Sequence, residues 1–176
     1  IKLYIQPGAS WVYLRFNCAG TKDHGYDGLS EKSVPKKVRQ AVAYAIDENR
    51  VIDVALAGAA APAHSWLADP VWGSTGYQEE MYPYDPDKAR QLLAEAGYPN
   101  GLELELLYYD DPHYKRVAEE LAREFGNVGI TLNIQQLQYT AFQDRVKRKD
   151  LRVFQDGIYL VEKRLMEKAS GEGNER

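Results

Sequence analysis

Between residues 102 and 136 the hydrophobic pattern changes period twice, and no other feature of the sequence constrains the fold as much. Leu102, Leu104 and Leu106 alternate with Glu103 and Glu105, the period of a half-buried strand. From 112 to 125, Tyr114, Val117, Ala118, Leu121, Ala122 and Phe125 recur at helical spacing. Ile130, Leu132 and Ile134 then alternate with Thr131, Asn133 and Gln135. Strand, helix and strand of these lengths define a βαβ crossover, whose two strands run parallel with a right-handed connection. The expectation is an α/β fold: a mixed sheet with parallel strands at about 102–108 and 130–136, bridged by a helix over 112–125 and flanked by further helices.

The remaining elements are shorter. Residues 1–17 alternate as strands, with Pro7-Gly8 as a turn and Trp11 and Tyr13 facing away from Val12, Leu14 and Phe16. Residues 18–33 are Gly-rich and polar, a loop. Ser33 is placed to cap a helix with Pro35 in its first turn, whose apolar face is Val38, Ala41, Val42, Ala45 and Ile46. A second short helix carries Val51, Ile52, Ala55 and Leu56 and stops near Gly58. Residues 58–84 form a long irregular stretch that holds Trp66 and Trp72, expected to pack as core or rim. Asp85-Pro86 opens the next helix, with Ala89, Leu92, Leu93 and Ala96 inward and Gly97 as the stop. A last helix is expected at 140–148 and a strand at 151–155. Residues 1–169 then make a single α/β lobe, and the tail 170–176 (SGEGNER) reads as disordered.

Composition removes several function classes. A net charge of −4 leaves no basic field to hold nucleic acid or an anionic membrane. The run Arg145, Lys147, Arg148 and Lys149 reads as a solvated helix end. No stretch approaches the roughly 18 apolar residues of a membrane helix. No signal peptide is visible, and the chain opens abruptly in strand-like sequence, as a piece cut from something longer would. One cysteine, Cys18, allows neither an internal disulfide nor a Cys-rich zinc site, and reads as a small buried side chain. Thirteen tyrosines and three tryptophans suit recognition by contact area rather than by bond chemistry.

Ordered segments of the chain resemble the family 5 solute-binding proteins, the oligopeptide-, dipeptide- and nickel-binding components of ABC importers. They are YLRFN (13–17), VRQAVAYAID (38–47), RVIDVALAGAAAPAHSWLADPVWG (50–73), YPYDPDKARQLLAEAGYPNGLELELLYY (82–109) and VAEELAREFGNVGITLNIQQL (117–137). The resemblance covers about residues 1–150. It implies one lobe, the second, of a type II periplasmic-binding-protein-like fold that closes on its solute with a first lobe absent from this sequence. It also implies an extracytoplasmic parent protein, in the periplasm or lipid-anchored, that works with the membrane subunits of an importer. One stretch departs from the family. Where relatives carry a strand rich in Gly, Trp, Ala, Asp and Tyr, whose aspartate meets a peptide's amino group, this chain reads VFQDGIYLVEKRLMEKASGEGNER (153–176), with Asp156-Gly157 as the remnant. The alternative is therefore a truncated or engineered α/β module that binds no solute of its own.

The resemblance places Tyr109, Tyr114 and Phe142 as solute-lining residues. Tyr109 and Tyr114 also flank the strand-to-helix junction of the βαβ unit, where open α/β sheets bind ligands. Tyr114 and Phe142 equally fit the apolar stripes of their helices. Asp110, Asp111 and His113 form the one acid–histidine cluster. Asp111 followed by Pro112 reads as a helix start rather than a catalytic or metal site. His24 and His64 lie far off in loops, and Asp23-His24 has no nucleophile beside it. Gly25, Gly28 and Gly58 make no phosphate-binding fingerprint. The expectation is a non-catalytic lobe binding a peptide or other small solute, without metal or cofactor. The face that would meet the first lobe offers a route to self-association.

Overall fold

The computed structural model describes residues 11–16, 34–63, 72, 82–147 and 153–158. In these, strands β1 (Trp11–Phe16), β2 (Leu102–Tyr109), β3 (Ile130–Leu137) and β4 (Val153–Ile158) form one sheet in the order β1-β4-β2-β3. The helices are α1 (Lys36–Tyr44), α2 (Glu48–Leu56), α3 (Pro86–Glu95), α4 (Pro112–Gly126) and α5 (Tyr139–Lys147). β2 and β3 pair in parallel from Leu102↔Ile130 to Tyr109↔Leu137, with α4 as their crossover. The α/β class and the βαβ unit expected from the sequence are both present. β4 lies parallel to β2 and antiparallel to β1, with Trp11↔Ile158 at one end of the second ladder and Phe16↔Val153 at the other.

The alternation of β2 splits the packing between two faces. Leu104, Leu106 and Tyr108 share one core with α1 to α4, including Val38, Leu93 and Phe125. Leu107 points the other way and is buried with Phe142 of α5, edged by Leu137 and Val146. The upper half of β2 is thus covered on both sides, as a central parallel strand must be.

Local chemistry sets the helix starts. Asp47 accepts from the Arg50 amide, Asp85 from the Lys88 amide, and Asp111 from the His113 and Tyr114 amides. α1 begins differently. Pro35 is itself the N-cap rather than a first-turn residue, and no side chain caps the helix. α2 ends on Ala57 in the left-handed region (φ 52°), one residue before Gly58. At the entry to the parallel pair, Gly129 O accepts from the Leu102 amide at 3.1 Å, and a Cβ on Gly101 would stand 2.1 Å from that same oxygen.

Four expectations need correction. Ala122 is only half-buried, whereas Glu120 and Glu124 are enclosed, because α2 lies along that side of α4. Arg145 is not a solvated end. It reaches Glu105 on β2 and Gln135 on β3, which draws it onto the sheet. The last strand runs to Ile158 because pairing with β1 extends it past 155. Trp72 stands 98% exposed rather than packed. Cys18, His24, Ser33, His64, Trp66, Arg148, Lys149 and the tail 170–176 lie outside the described residues.

Candidate functional site

Neighbouring strands β2 and β3 send the chain to opposite faces of the sheet. After β2 it turns to α4, packed on the face of Leu106; after β3 it turns to α5, packed on the face of Leu107. Two connections that part in this way leave a crevice at the carboxyl ends of the strands, the usual ligand position of an open α/β sheet.

Hydrogen bonds hold this end of the sheet in shape. The Asp110 amide donates to Leu137 O at 3.0 Å, which continues the ladder one step past the strands. Tyr108 Oη donates to Gln136 Oε1 at 3.2 Å, and Gln136 Nε2 donates to Asp110 Oδ1 at 2.5 Å. Burial, and then the carboxylates of Glu119 and Asp110, push the Tyr108 phenol above its ordinary range, so it stays a neutral donor. Asp111 Oδ1 takes the His113 amide at 2.7 Å and lies 3.2 Å from His113 Nδ1. The acid–histidine pair is therefore occupied in starting α4. Among the described residues, no three His, Cys, Asp or Glu side chains are grouped to hold a metal ion.

The three residues singled out in the sequence meet here. The Tyr109 ring makes edge contacts with Tyr114, Tyr139 and Phe142 at centroid distances of 4.9, 5.3 and 5.4 Å. Tyr109 Oη also donates to Tyr114 Oη at 3.0 Å. Burial divides the four. Tyr114 and Phe142 are enclosed, Tyr109 is half-buried and Tyr139 is 58% exposed. The cluster is a graded aromatic shelf, fixed at its back and open at its front. Sequence reasoning missed Tyr139. The signal was its position, three residues before Phe142 and so on the same side of the helix.

An α/β lobe with an aromatic shelf at a switch point has the layout of a solute-binding domain rather than of a catalytic centre. The profile of the bacterial extracellular solute-binding proteins, family 5 (middle portion), matches residues 1–162. The chain belongs to this family, whose members are non-catalytic, extracytoplasmic components of transport. It is 34% identical over 158 residues to heme-binding protein A of Haemophilus influenzae, covering 86% of this chain and 26% of that protein. It is 28% identical over 155 residues to the dipeptide-binding protein of Escherichia coli, covering 84% and 26%. Against the glutathione-binding protein GsiB of Pectobacterium atrosepticum the identity is 38% over 115 residues, 63% of this chain and 22% of that one. The chain thus spans about a quarter of the length of these relatives. Among solved structures, HbpA2 from Haemophilus parasuis superposes with a TM-score of 0.69 at 25% identity, over 87% of this chain and 29% of its own. The oligopeptide-binding protein AppA from Bacillus subtilis, in complex with a nonapeptide, gives 0.72 at 20%, over 88% and 32%, a likeness of fold.

Proposed function

We propose that this chain is a solute-contacting lobe of an ABC-importer binding protein. Its share of the site is the shelf of Tyr109, Tyr114 and Phe142 at the carboxyl ends of β2 and β3. The observation that carries the reading is the graded burial of that shelf. Tyr114 and Phe142 stiffen it, while Tyr109 and the exposed Tyr139 offer ring surface. Rigid rings with polar tips bind by area at little entropic cost, and short peptides present the backbone and side-chain surface they suit. The relatives named for haem, glutathione and dipeptides share the family and differ in cargo. The parent protein works outside the cytoplasm, in the periplasm or held by a lipid anchor. There it meets a first lobe across the solute and the importer's membrane subunits when loaded.

A lobe acting alone holds its solute from one side. If the other lobe supplies about 4 kcal/mol, its absence weakens binding roughly a thousandfold. The 176-residue chain then binds short peptides only weakly, and its uncovered face favours self-association. The test is an NMR titration with dipeptides, glutathione and haemin in turn. Expected are fast-exchange shifts centred on Tyr109, Asp110 and Tyr139, with a dissociation constant far above micromolar. Shifts confined to another surface would sink the assignment of the site. An absence of shifts with every solute would favour the truncated or engineered module that binds none. Sedimentation at several concentrations checks self-association, which a strict monomer throughout would refute.

A further inference from the structure

The first turn of α2 docks on the far half of α4 through carboxylates that the aromatic shelf does not use. The Asp47 amide donates to Glu124 Oε2 at 3.1 Å, and Arg50 Nε donates to Glu120 Oε1 at 3.0 Å. Glu124 is only 3% exposed, and its other oxygen, Oε1, is enclosed without a hydrogen-bond partner. The charged and titratable groups around it come from three places. α4 supplies Glu120 and Arg123; α2 and its cap supply Asp47, Glu48 and Arg50; Tyr84, ahead of α3, faces Arg123. Both guanidiniums direct their hydrogen bonds to Glu120, not to Glu124. Glu120 is accordingly held below the usual carboxylate range, by Arg123 first and Arg50 after it, against the opposing effect of burial.

An ionised Glu124 would be a desolvated charge with one bare oxygen, lying beside the carboxylates of Glu120 and Asp47. Two routes relieve that cost. The carboxyl can take a proton, or the helix above it can lift and admit water. We propose that the α2–α4 contact is a proton-controlled joint, in which protonated Glu124 lets the first turn of α2 sit closed on α4 and ionised Glu124 releases that turn. Burial is the largest influence on the Glu124 carboxyl and pushes it up to about 7, against the pull of the Asp47 amide. The joint therefore closes below neutrality and loosens as pH rises through it. It is separate from the shelf: Glu124 lies on α4 roughly 15 Å from Tyr114 at 1.5 Å per residue.

The test uses the whole chain. Side-chain carboxyl resonances are followed by carbon-13 NMR from about pH 5 to 9, with hydrogen exchange of the α2 and α3 amides measured in parallel. Glu124 is expected to titrate near neutrality. Protection at Asp47 and Arg50 should drop on the order of a hundredfold more than protection in α3 over that range, one proton's linkage giving about tenfold for each of the two pH units between 5 and 7. Glu124→Gln keeps the shape without the charge and should flatten the α2 profile while leaving the tyrosine resonances of the shelf in place. A Glu124 titration in the ordinary carboxylate range, or α2 and α3 responding alike, would overturn the joint. If the variant does not fold, the wild-type titration decides alone.

Discussion

On one side of β2, Leu104, Leu106 and Tyr108 lie in a core shared with four helices. On the other, Leu107 is buried under Phe142 of a single helix, Glu103 is exposed and Glu105 is tied to Arg145. The same strand therefore borders a deep layer and a shallow one. The deep layer carries the stability. The shallow layer ends in the half-buried Tyr109 and the exposed Tyr139. Burial and access are distributed by the alternation of one strand.

This contrast can be tested by removing groups from each layer. Leu106→Ala should cost about 4 kcal/mol, because the packed helices around it cannot collapse into the void. Urea unfolding would measure it, read on the loss of helix signal. A loss under about 1 kcal/mol would mean that the deep layer is loosely packed.

The deep layer should also show a pH slope that the shallow one lacks. With Glu124 raised from 4.5 to about 7, the folded chain holds a proton between those values that the unfolded chain has released. Stability from this group is fully present below 4.5 and is lost as pH rises to 7, on the order of 3 kcal/mol at 1.36 kcal/mol per unit. Denaturant midpoints should fall over that interval in the wild type and fall less in Glu124→Gln. Equal slopes would remove the group from the account.

In the shallow layer, Phe142→Ala should cost about 2–3 kcal/mol, near or below the low end for its type, since α5 can settle or peel away into water. Hydrogen exchange should rise in α5 and leave α1 to α4 unchanged. A global loss of protection would show the two layers to be one cooperative unit. The smallest effect is expected for Arg145→Ala. Its pair with Glu105 is partly exposed, at 25% and 38%, and should contribute less than about 1 kcal/mol. That loss should shrink further in high salt, by thermal melting.

Legibility in the sequence followed the locality of the physics. The crossover from β2 through α4 to β3 was readable because period and length are local signals, and Asp85 and Asp111 announced their helices by cap chemistry alone. The place of β4 between β1 and β2 was not readable, because it depends on pairing between residues far apart in the chain. Arg145 was misjudged, and the enclosure of Glu120 and Glu124 went unread, for one reason. Charged side chains are ordinarily solvated, and only a neighbouring helix or sheet reverses that. Of the candidate site, Tyr109, Tyr114 and Phe142 were named in advance and do converge. Their graded burial, and the part taken by Tyr139, needed the angle between α4 and α5 at the end of the sheet.

The antiparallel ladder of β1 and β4 has a genealogical consequence. Because Trp11 lies opposite Ile158, the first and last of the described residues stand side by side at one end of the β1–β4 ladder. Seen from a larger host, everything between them is a single detour that departs and returns through one doorway. Such a segment can be spliced into an exposed turn of another protein, or traded between cousins, without redirecting the host's backbone.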